Sequence, residues 1–240
     1  MKKVTLELQN ALDKELSLMK NDFYYQQIEI NRNGVDKIVR MDTAFQPLDV
    51  LGGDSYSLRK TQDGKVVFFI LDAMGKGIST SITAATTTSL LNYIFDQMKR
   101  QGNFELRRWI YRYIEFVKHE LLDNEMIAIF FGMYDKDTGI FEHASFGMTA
   151  SLILTEDNEF VKVKSNNAPI SQYTEDFNVE IVDVKNIKKA LFYTDGLCEN
   201  IIENGEFYRD KMYKDLIESE NFVDFSKKVH KSITTKDDDI

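Results

Sequence analysis

Several acidic residues of this sequence stand where predicted strands end, and their side chains could bind divalent cations. They are Asp54, Asp72, Asp195 and the run Asp237, Asp238 and Asp239. A carboxylate at the end of a buried strand is costly unless a positive group neutralises it. Hard cations such as Mg²⁺ and Mn²⁺ prefer carboxylate and carbonyl oxygens, and the sequence has no His or Cys cluster of the kind that zinc requires. The pattern therefore predicts a Mg²⁺ or Mn²⁺ site.

The spacing of Asp54 and Asp72 predicts that the two residues face each other across a hairpin. The stretch "QDG" (62–64) is typical of a three-residue loop whose glycine takes the left-handed conformation. With that loop Thr61 faces Lys65, and counting back along both strands Asp54 faces Asp72. Directly opposed residues have Cβ atoms roughly 4.5 to 5.5 Å apart. Two carboxylates at that distance repel each other unless a cation lies between them.

Two other interpretations of this pair remain open. A two-residue loop would shift the register and place Asp54 and Asp72 on opposite faces of the hairpin. The sequences "GGD" and "MGKG" are also typical of tight turns, so both aspartates could be ordinary turn or cap residues.

The hydrophobic pattern predicts the elements that carry these residues. Helical spacing alternates with short β-rich stretches, and the layer rule for such an order favours an α+β fold of two packed antiparallel sheets covered by helices. We expect one domain over residues 31–240, preceded by an N-terminal amphipathic helix within residues 1–30 that is a linker or regulatory element. The predicted elements are a helix in 1–29, β-rich stretches at 36–43 and 54–72, helices at 77–99 and 105–122, antiparallel strands within 125–164, a strand at 188–194 and a helical tail at 208–233.

Composition excludes some functions. The 39 acidic and 30 basic residues give a net charge of −9, which argues against a nucleic-acid-binding surface. The apolar runs are far shorter than the ~20 residues needed to span a bilayer. A single cysteine, Cys198, and the lack of a signal-like start favour a reducing cytoplasm. The end of the chain, directly before a predicted strand, suggests a piece cut before its last strand.

The motifs resemble those of a known family, the SpoIIE/RsbU-type bacterial branch of the PPM metal-dependent serine/threonine protein phosphatases. The resemblance covers about residues 36–240, with all the motifs in the family's order. They are "PLDVLGGDSY" (47–56), "LDAMGKG" (71–77), "FFGMYDKDTGIFEHASFG" (130–147), "FYTDGLCEN" (192–200) and "KDDDI" (236–240). The resemblance implies a four-layer α/β/β/α sandwich.

The resemblance also implies a centre of two Mn²⁺ or Mg²⁺ ions. Position by position, the ligands are the side chains of Asp54, Asp72, Asp195 and Asp238 and the backbone carbonyl of Ala73. Asp237 or Asp239 can replace Asp238, because the acidic run leaves the alignment ambiguous by one position. Lys76 is a candidate contact for phosphate. The sequence departs from the eukaryotic-type enzymes at Met74, where they carry a histidine, so no general acid is visible.

The implied activity is hydrolysis of a phosphoserine or phosphothreonine on a regulatory protein by a metal-activated water. The implied substrate is a STAS-domain protein of the anti-anti-sigma type. The implied partners are an upstream sensor or receiver domain, and a second copy joined through the N-terminal helix. The alternative is a catalytically weak or inactive PPM-fold signalling or binding module that is regulated through that helix.

Overall fold

A computed structural model of the chain describes residues 2–24, 27–32, 35–48, 51–75, 77–102, 104–183, 187–203, 205–233 and 239. The helices are α1 (Lys2–Leu18), α2 (Ile78–Arg100), α3 (Leu106–Val117), α4 (Asp195–Glu199), α5 (Tyr208–Glu218) and α6 (Phe222–Ser232). The strands are β1 (Lys20–Asn21), β2 (Gln27–Arg32), β3 (Val35–Arg40), β4 (Asp54–Lys60), β5 (Val66–Ala73), β6 (Ile127–Asp135), β7 (Ile140–Phe146), β8 (Ser151–Thr155), β9 (Phe160–Val163), β10 (Glu180–Asp183) and β11 (Ile187–Leu191).

The strands form two main sheets and a separate hairpin. The larger sheet has the order β1-β4-β5-β6-β7-β10, the smaller has the order β11-β8-β9, and β2 pairs with β3 alone. All pairs are antiparallel except the short pair of β1 with β4, which is parallel. The prediction of purely antiparallel sheets is therefore wrong at this one edge.

The central strand β5 shows why the larger sheet is covered on both sides. Its apolar run is "VVFFIL", and successive side chains of a strand point to opposite faces. Phe69 and Leu71 pack with Trp109 and other residues of α2 and α3 in the largest apolar cluster. Phe68 and Ile70 point the other way, into the cluster between the two sheets.

The smaller sheet has helices on its outer side. Leu152 of β8 packs with Tyr208 and Met212 of α5 and with Phe225 of α6 in a further apolar cluster. The three clusters therefore separate four layers in the order helix, sheet, sheet, helix. The predicted α/β/β/α sandwich is confirmed.

The N-terminal region differs from its prediction. The helix predicted over residues 1–29 ends at Leu18, and β1 follows at once and pairs with β4. Phe23 is buried against Leu58 and Val66 of the sheet. Phe23 continues the helical spacing of apolar residues, but it is apolar because it packs against the sheet. The spacing alone therefore predicted a helix that is too long. The division of the chain at residue 30 stays a prediction.

Two further differences concern strands. The sequence did not predict β2, which pairs with β3, or β10, which pairs with β7 and whose four residues are "EIVD". The strand predicted at 188–194 runs over Ile187–Leu191 instead. In the part of the chain that the structure describes, no helix is both long enough and apolar enough to cross a lipid bilayer.

Candidate metal centre

The β4–β5 hairpin has the register that the sequence predicted. Asp54 is the direct partner of Asp72, and Thr61 donates its amide to the carbonyl of Lys65 at 3.0 Å. Gly64 has a φ of 83°, the left-handed value expected for the last residue of a three-residue loop. The interpretation in which the two aspartates lie on opposite faces is therefore wrong.

Both aspartates lie on the face of the larger sheet that is turned toward the smaller one. Asp72 alternates with Leu71 and shares its face with Phe68 and Ile70, which belong to the inter-sheet cluster. The opposite face of β4 contacts helix α2, where the Thr88 hydroxyl donates to Ser55 Oγ at 2.7 Å. Asp54 is only 8% exposed. Two carboxylates thus meet at one end of the inter-sheet layer.

The glycines before Asp54 are required by close contacts. A Cβ atom on Gly52 would lie 2.6 Å from Asp239 Oδ2, and one on Gly53 would lie 2.9 Å from Thr80 Cγ2. Real Cβ atoms are not found at such distances. The Gly52–Gly53 turn can approach its neighbours only because neither residue has a side chain.

The backbone of Ala73 lies against the same turn. Its amide donates to the carbonyl of Gly53 at 3.0 Å, and its own carbonyl oxygen is 3.2 Å from the ideal Cβ position of Gly53. Ala73 is 2% exposed. After it the chain turns through Gly75 and Gly77, whose φ values of 122° and 92° disfavour other residues, and then enters α2. The Ala73 carbonyl therefore lies beside Gly53, the residue that directly precedes Asp54.

Asp239 is the member of the C-terminal acidic run that the structure describes, and its carboxylate faces backbone amides. One oxygen accepts from the amides of Gly53 at 2.7 Å and Asp54 at 3.3 Å, and the other accepts from the amide of Leu48. Asp239 is 6% exposed. A carboxylate that is engaged by several amides is suited to holding a turn in place. Asp237 and Asp238 lie outside the described residues.

A second carboxylate at this turn comes from helix α1 and was not predicted. Glu15 Oε1 accepts the amide of Gly52 at 2.9 Å. Burial raises the pKa of Glu15, the hydrogen bond from Gly52 lowers it, and the charge of Asp239 raises it further. The only signal in the sequence is a glutamate close to the apolar positions of an amphipathic helix, which does not distinguish Glu15 from its acidic neighbours.

Asp195 is the first residue of helix α4, and three residues separate it from the last strand residue, Leu191. The prediction that it directly ends a strand is therefore wrong. A negative side chain is favourable at a helix N-terminus, which gives this residue a structural role of its own. Its neighbour Thr194 lines a cavity of about 1360 Å³ between the sheets, and Asp54 lines the same cavity.

The described residues bring together part of the predicted set. Asp54 faces Asp72 and the Ala73 carbonyl lies beside their turn, but no group of three or more His, Cys, Asp or Glu side chains among the described residues is close enough to hold a metal ion. Lys76, like Asp238, falls outside the part of the chain that is described.

Other groups that could do chemistry are held in unreactive forms. Burial raises the pKa of the Cys198 thiol, although Arg209 lies 3.9 Å from its sulfur. His143 is 1% exposed beside the rings of Phe130 and Phe141, and burial lowers its pKa. A fully buried imidazole is out of reach of a substrate, and a protonated thiol is a poor nucleophile.

The family model for stage II sporulation protein E (SpoIIE) matches residues 62–240. The chain belongs to the SpoIIE family. The match includes Asp72 and Asp195 and begins after Asp54. A search of curated proteins found no match.

Solved structures of related proteins have the same fold. The SiaA-PP2C domain of Pseudomonas aeruginosa is 14% identical with a TM-score of 0.72, and the alignment covers 99% of this chain and 94% of that one. The RsbU and RsbW domains of a Mycobacterium tuberculosis protein are 18% identical with a TM-score of 0.61, over 80% of this chain and 54% of that longer one. RsbX in complex with magnesium is 13% identical with a TM-score of 0.60, over 89% and 96% of the two chains.

Family and fold together class this SpoIIE-family chain as a metal-dependent serine/threonine phosphatase of the PPM type. The resemblance that its motifs indicated is confirmed at the level of the family.

Proposed function

We propose that this chain hydrolyses a phosphoserine or phosphothreonine ester on a regulatory protein, with two divalent cations held by Asp54, Asp72, Asp195, Asp238 and the Ala73 carbonyl. The observation that carries the proposal is the register of the β4–β5 hairpin, which opposes Asp54 and Asp72 on the inter-sheet face. The structure of Asp238 is not described, so its place in the set comes from the motif alone.

The residues that are described fit a hard cation. Asp54 and Asp72 supply carboxylate oxygens, and the glycine turn leaves room beside the carbonyl oxygen of Ala73. Oxygen donors of these two kinds are the ligands that Mg²⁺ and Mn²⁺ prefer. Like charges that are held opposite each other repel, whereas each of them would be attracted to a cation bound between them.

The roles of the chain's own groups follow from this geometry. Bound ions would supply an activated water and neutralise charge that develops on the phosphate. Asp54 and Asp72 are fixed on neighbouring strands, which keeps their oxygens in place without reorganisation. Lys76, in the Gly-rich corner, is the candidate contact for the phosphate oxygens. Met74 is 52% exposed and carries no acidic proton, so solvent at this position is the proton source for the departing serine or threonine alkoxide, which becomes the free hydroxyl.

The proposed substrate is a phosphorylated STAS-domain protein, and the proposed input is a sensor or receiver domain acting through helix α1. The motif resemblance is what supports both. A homodimer joined through α1 is part of the same proposal, and the cell compartment proposed for it is the cytoplasm.

The test is hydrolysis of p-nitrophenyl phosphate with Mn²⁺, with and without EDTA. We expect activity with Mn²⁺, its loss in EDTA, and a loss of at least a hundredfold in the Asp72→Asn variant. Asp157→Asn is the matched control, because Asp157 is an exposed turn residue between β8 and β9. Full activity of Asp72→Asn, or activity that survives EDTA, would refute the proposal.

A catalytically weak PPM-fold binding module is the second candidate. It is favoured by Met74, which stands where the eukaryotic-type enzymes carry a histidine, so that no general acid is visible. This candidate predicts that the protein binds its phosphorylated partner while hydrolysis with Mn²⁺ stays at the level of Asp72→Asn.

A further inference from the structure

We propose that Glu15 of helix α1 is a positioning residue of the metal centre, which together with Asp239 holds the turn that presents Asp54. The inference rests on the proposed function, since it assigns a role relative to the same cation site. It goes beyond that function by naming the contact through which α1 reaches the site.

Three consecutive backbone amides of the turn donate to two carboxylates from opposite ends of the chain. Gly52 donates to Glu15 Oε1 at 2.9 Å. Gly53 and Asp54 donate to Asp239 Oδ2 at 2.7 and 3.3 Å. Backbone groups that are held in this way cannot rotate independently, so the start of β4 has one defined geometry. Asp54 is the first residue of that strand.

The burial of Glu15 indicates that this contact is built into the fold. Glu15 is 7% exposed, whereas its neighbour Leu16 is 44% exposed. A surface helix ordinarily buries the leucine and exposes the glutamate. Among the described residues no hydrogen-bond partner reaches the second oxygen, Oε2. Burying a carboxylate with half of its acceptor capacity unused is costly, which favours a functional reason for its position.

The same turn also contacts another predicted ligand, the backbone carbonyl of Ala73. The Gly53 carbonyl accepts the amide of Ala73 at 3.0 Å, and the ideal Cβ position of Gly53 is 3.2 Å from the Ala73 carbonyl oxygen. A displacement of the turn therefore moves Asp54 and changes the surroundings of the Ala73 carbonyl together. Groups that orient metal ligands from outside typically change metal affinity ten- to hundredfold when they are removed.

Helix α1 is itself attached to the sheet and to α2. The side-chain amide of Asn92 donates to the Leu18 carbonyl at 3.0 Å and to Ser57 Oγ at 2.9 Å. The C-terminal end of α1 is thus fixed to β4 and α2, while Glu15, one turn earlier, reaches the Gly52–Asp54 turn. The position of α1 is therefore linked to the geometry of the cation site.

The experiment uses variants of Glu15 that distinguish the effect of side-chain length from the effect of charge. Glu15→Gln keeps an oxygen at the same reach and removes the charge, whereas Glu15→Asp keeps the charge and withdraws the oxygen by one methylene. Glu7→Ala is the matched control, because Glu7 is an exposed glutamate of the same helix. Mn²⁺ binding is measured by calorimetry on the full chain, and the Mn²⁺ dependence of p-nitrophenyl phosphate hydrolysis is measured beside it.

We expect Glu15→Asp to weaken Mn²⁺ binding about tenfold, with the same shift in the activation midpoint and a kcat within about twofold of wild type at saturating Mn²⁺. Glu15→Gln and Glu7→Ala are expected to bind as wild type does. Wild-type affinity in Glu15→Asp, or weakened binding in Glu15→Gln alone, would overturn the inference while leaving the proposed function intact. A wild-type protein that binds no Mn²⁺ would overturn both.

Discussion

The opposed pair Asp54 and Asp72 leads to a stability prediction that depends on the cation. Replacing Asp72 with asparagine removes one of the two facing charges but changes the volume little. In EDTA the variant should be more stable than wild type, because the repulsion is gone. With Mn²⁺ the order should reverse, because the variant has lost a ligand.

The register of the hairpin sets the distance between the two charges and therefore the size of the change in unfolding free energy. Opposed residues have Cβ atoms roughly 5 Å apart, and two unit charges at that distance interact by about 3 kcal/mol at an effective dielectric constant of 20 and about 1 kcal/mol in bulk water. Asp54 is 8% exposed and Asp72 is half-buried, so the value should lie between these limits. We expect Asp72→Asn to raise the free energy of unfolding by about 1 to 2 kcal/mol in EDTA. At a Mn²⁺ concentration a hundred times the dissociation constant, the wild type should gain about 2.7 kcal/mol.

The assay is urea unfolding of wild type, Asp72→Asn and the exposed-turn control Asp157→Asn, each in EDTA and in Mn²⁺. The dependence of unfolding free energy on urea should be the same for all three. The explanation by opposed charges would be refuted if Asp72→Asn were less stable than wild type in EDTA by as much as it is in Mn²⁺. That result would mean that Asp72 acts as an ordinary structural residue.

Three further predictions concern the surroundings of the site and the core. Gly53→Ala places a methyl group 2.9 Å from Thr80 Cγ2, and we expect about 1 to 3 kcal/mol of destabilisation in urea unfolding together with weaker Mn²⁺ binding in calorimetry. An unchanged Mn²⁺ affinity would contradict the tight-turn account. Arg59→Met removes a buried guanidinium that donates to Asn92 at 2.8 Å, and should cost about 1.5 to 3 kcal/mol of unfolding free energy, whereas a cost near zero would show that this network does not hold β4 to α2. Burial lowers the pKa of His143 below 6.5, so the unfolded chain takes up a proton near pH 6.5 before the folded one does and stability falls as pH drops below that value. His143→Phe should flatten that fall by up to about 1.4 kcal/mol per pH unit, and an unchanged slope of unfolding free energy against pH would exclude His143 as its source.

Local signals in the sequence were sufficient to predict the hairpin that carries the candidate site. The loop "QDG" sets the register between β4 and β5 because it lies between them, and the pairing of Asp54 with Asp72 follows by counting. Both ends of α2 and the start of α3 agree with the prediction to within one residue, since their apolar spacing repeats over several turns, whereas α3 ends at Val117 and not at residue 122. The order of strands and helices favoured two packed sheets covered by helices, and the family resemblance implied the four-layer arrangement.

Contacts between distant parts of the chain could not be predicted in this way. Helix α1 ends at Leu18 because the residues after it form β1, which pairs with β4. A helical pattern of apolar residues does not reveal this pairing. The short strand β10 is explained by its partner β7 rather than by its own sequence.

The candidate site shows the same division between local and tertiary information. The residue types in the motifs "GGD", "DAMGKG" and "TDG" were enough to indicate the family and to predict a site for hard cations, because those residues determine what can be bound. Glu15 and Asp239 meet the Gly52–Asp54 turn from positions 37 and 186 residues away in sequence. Neither residue has a local pattern that predicts this contact, since a carboxylate on a helix or in an acidic run is ordinarily solvated. Only the packing of α1 and of the C-terminal segment against the larger sheet decided which acidic groups lie at the turn that carries Asp54.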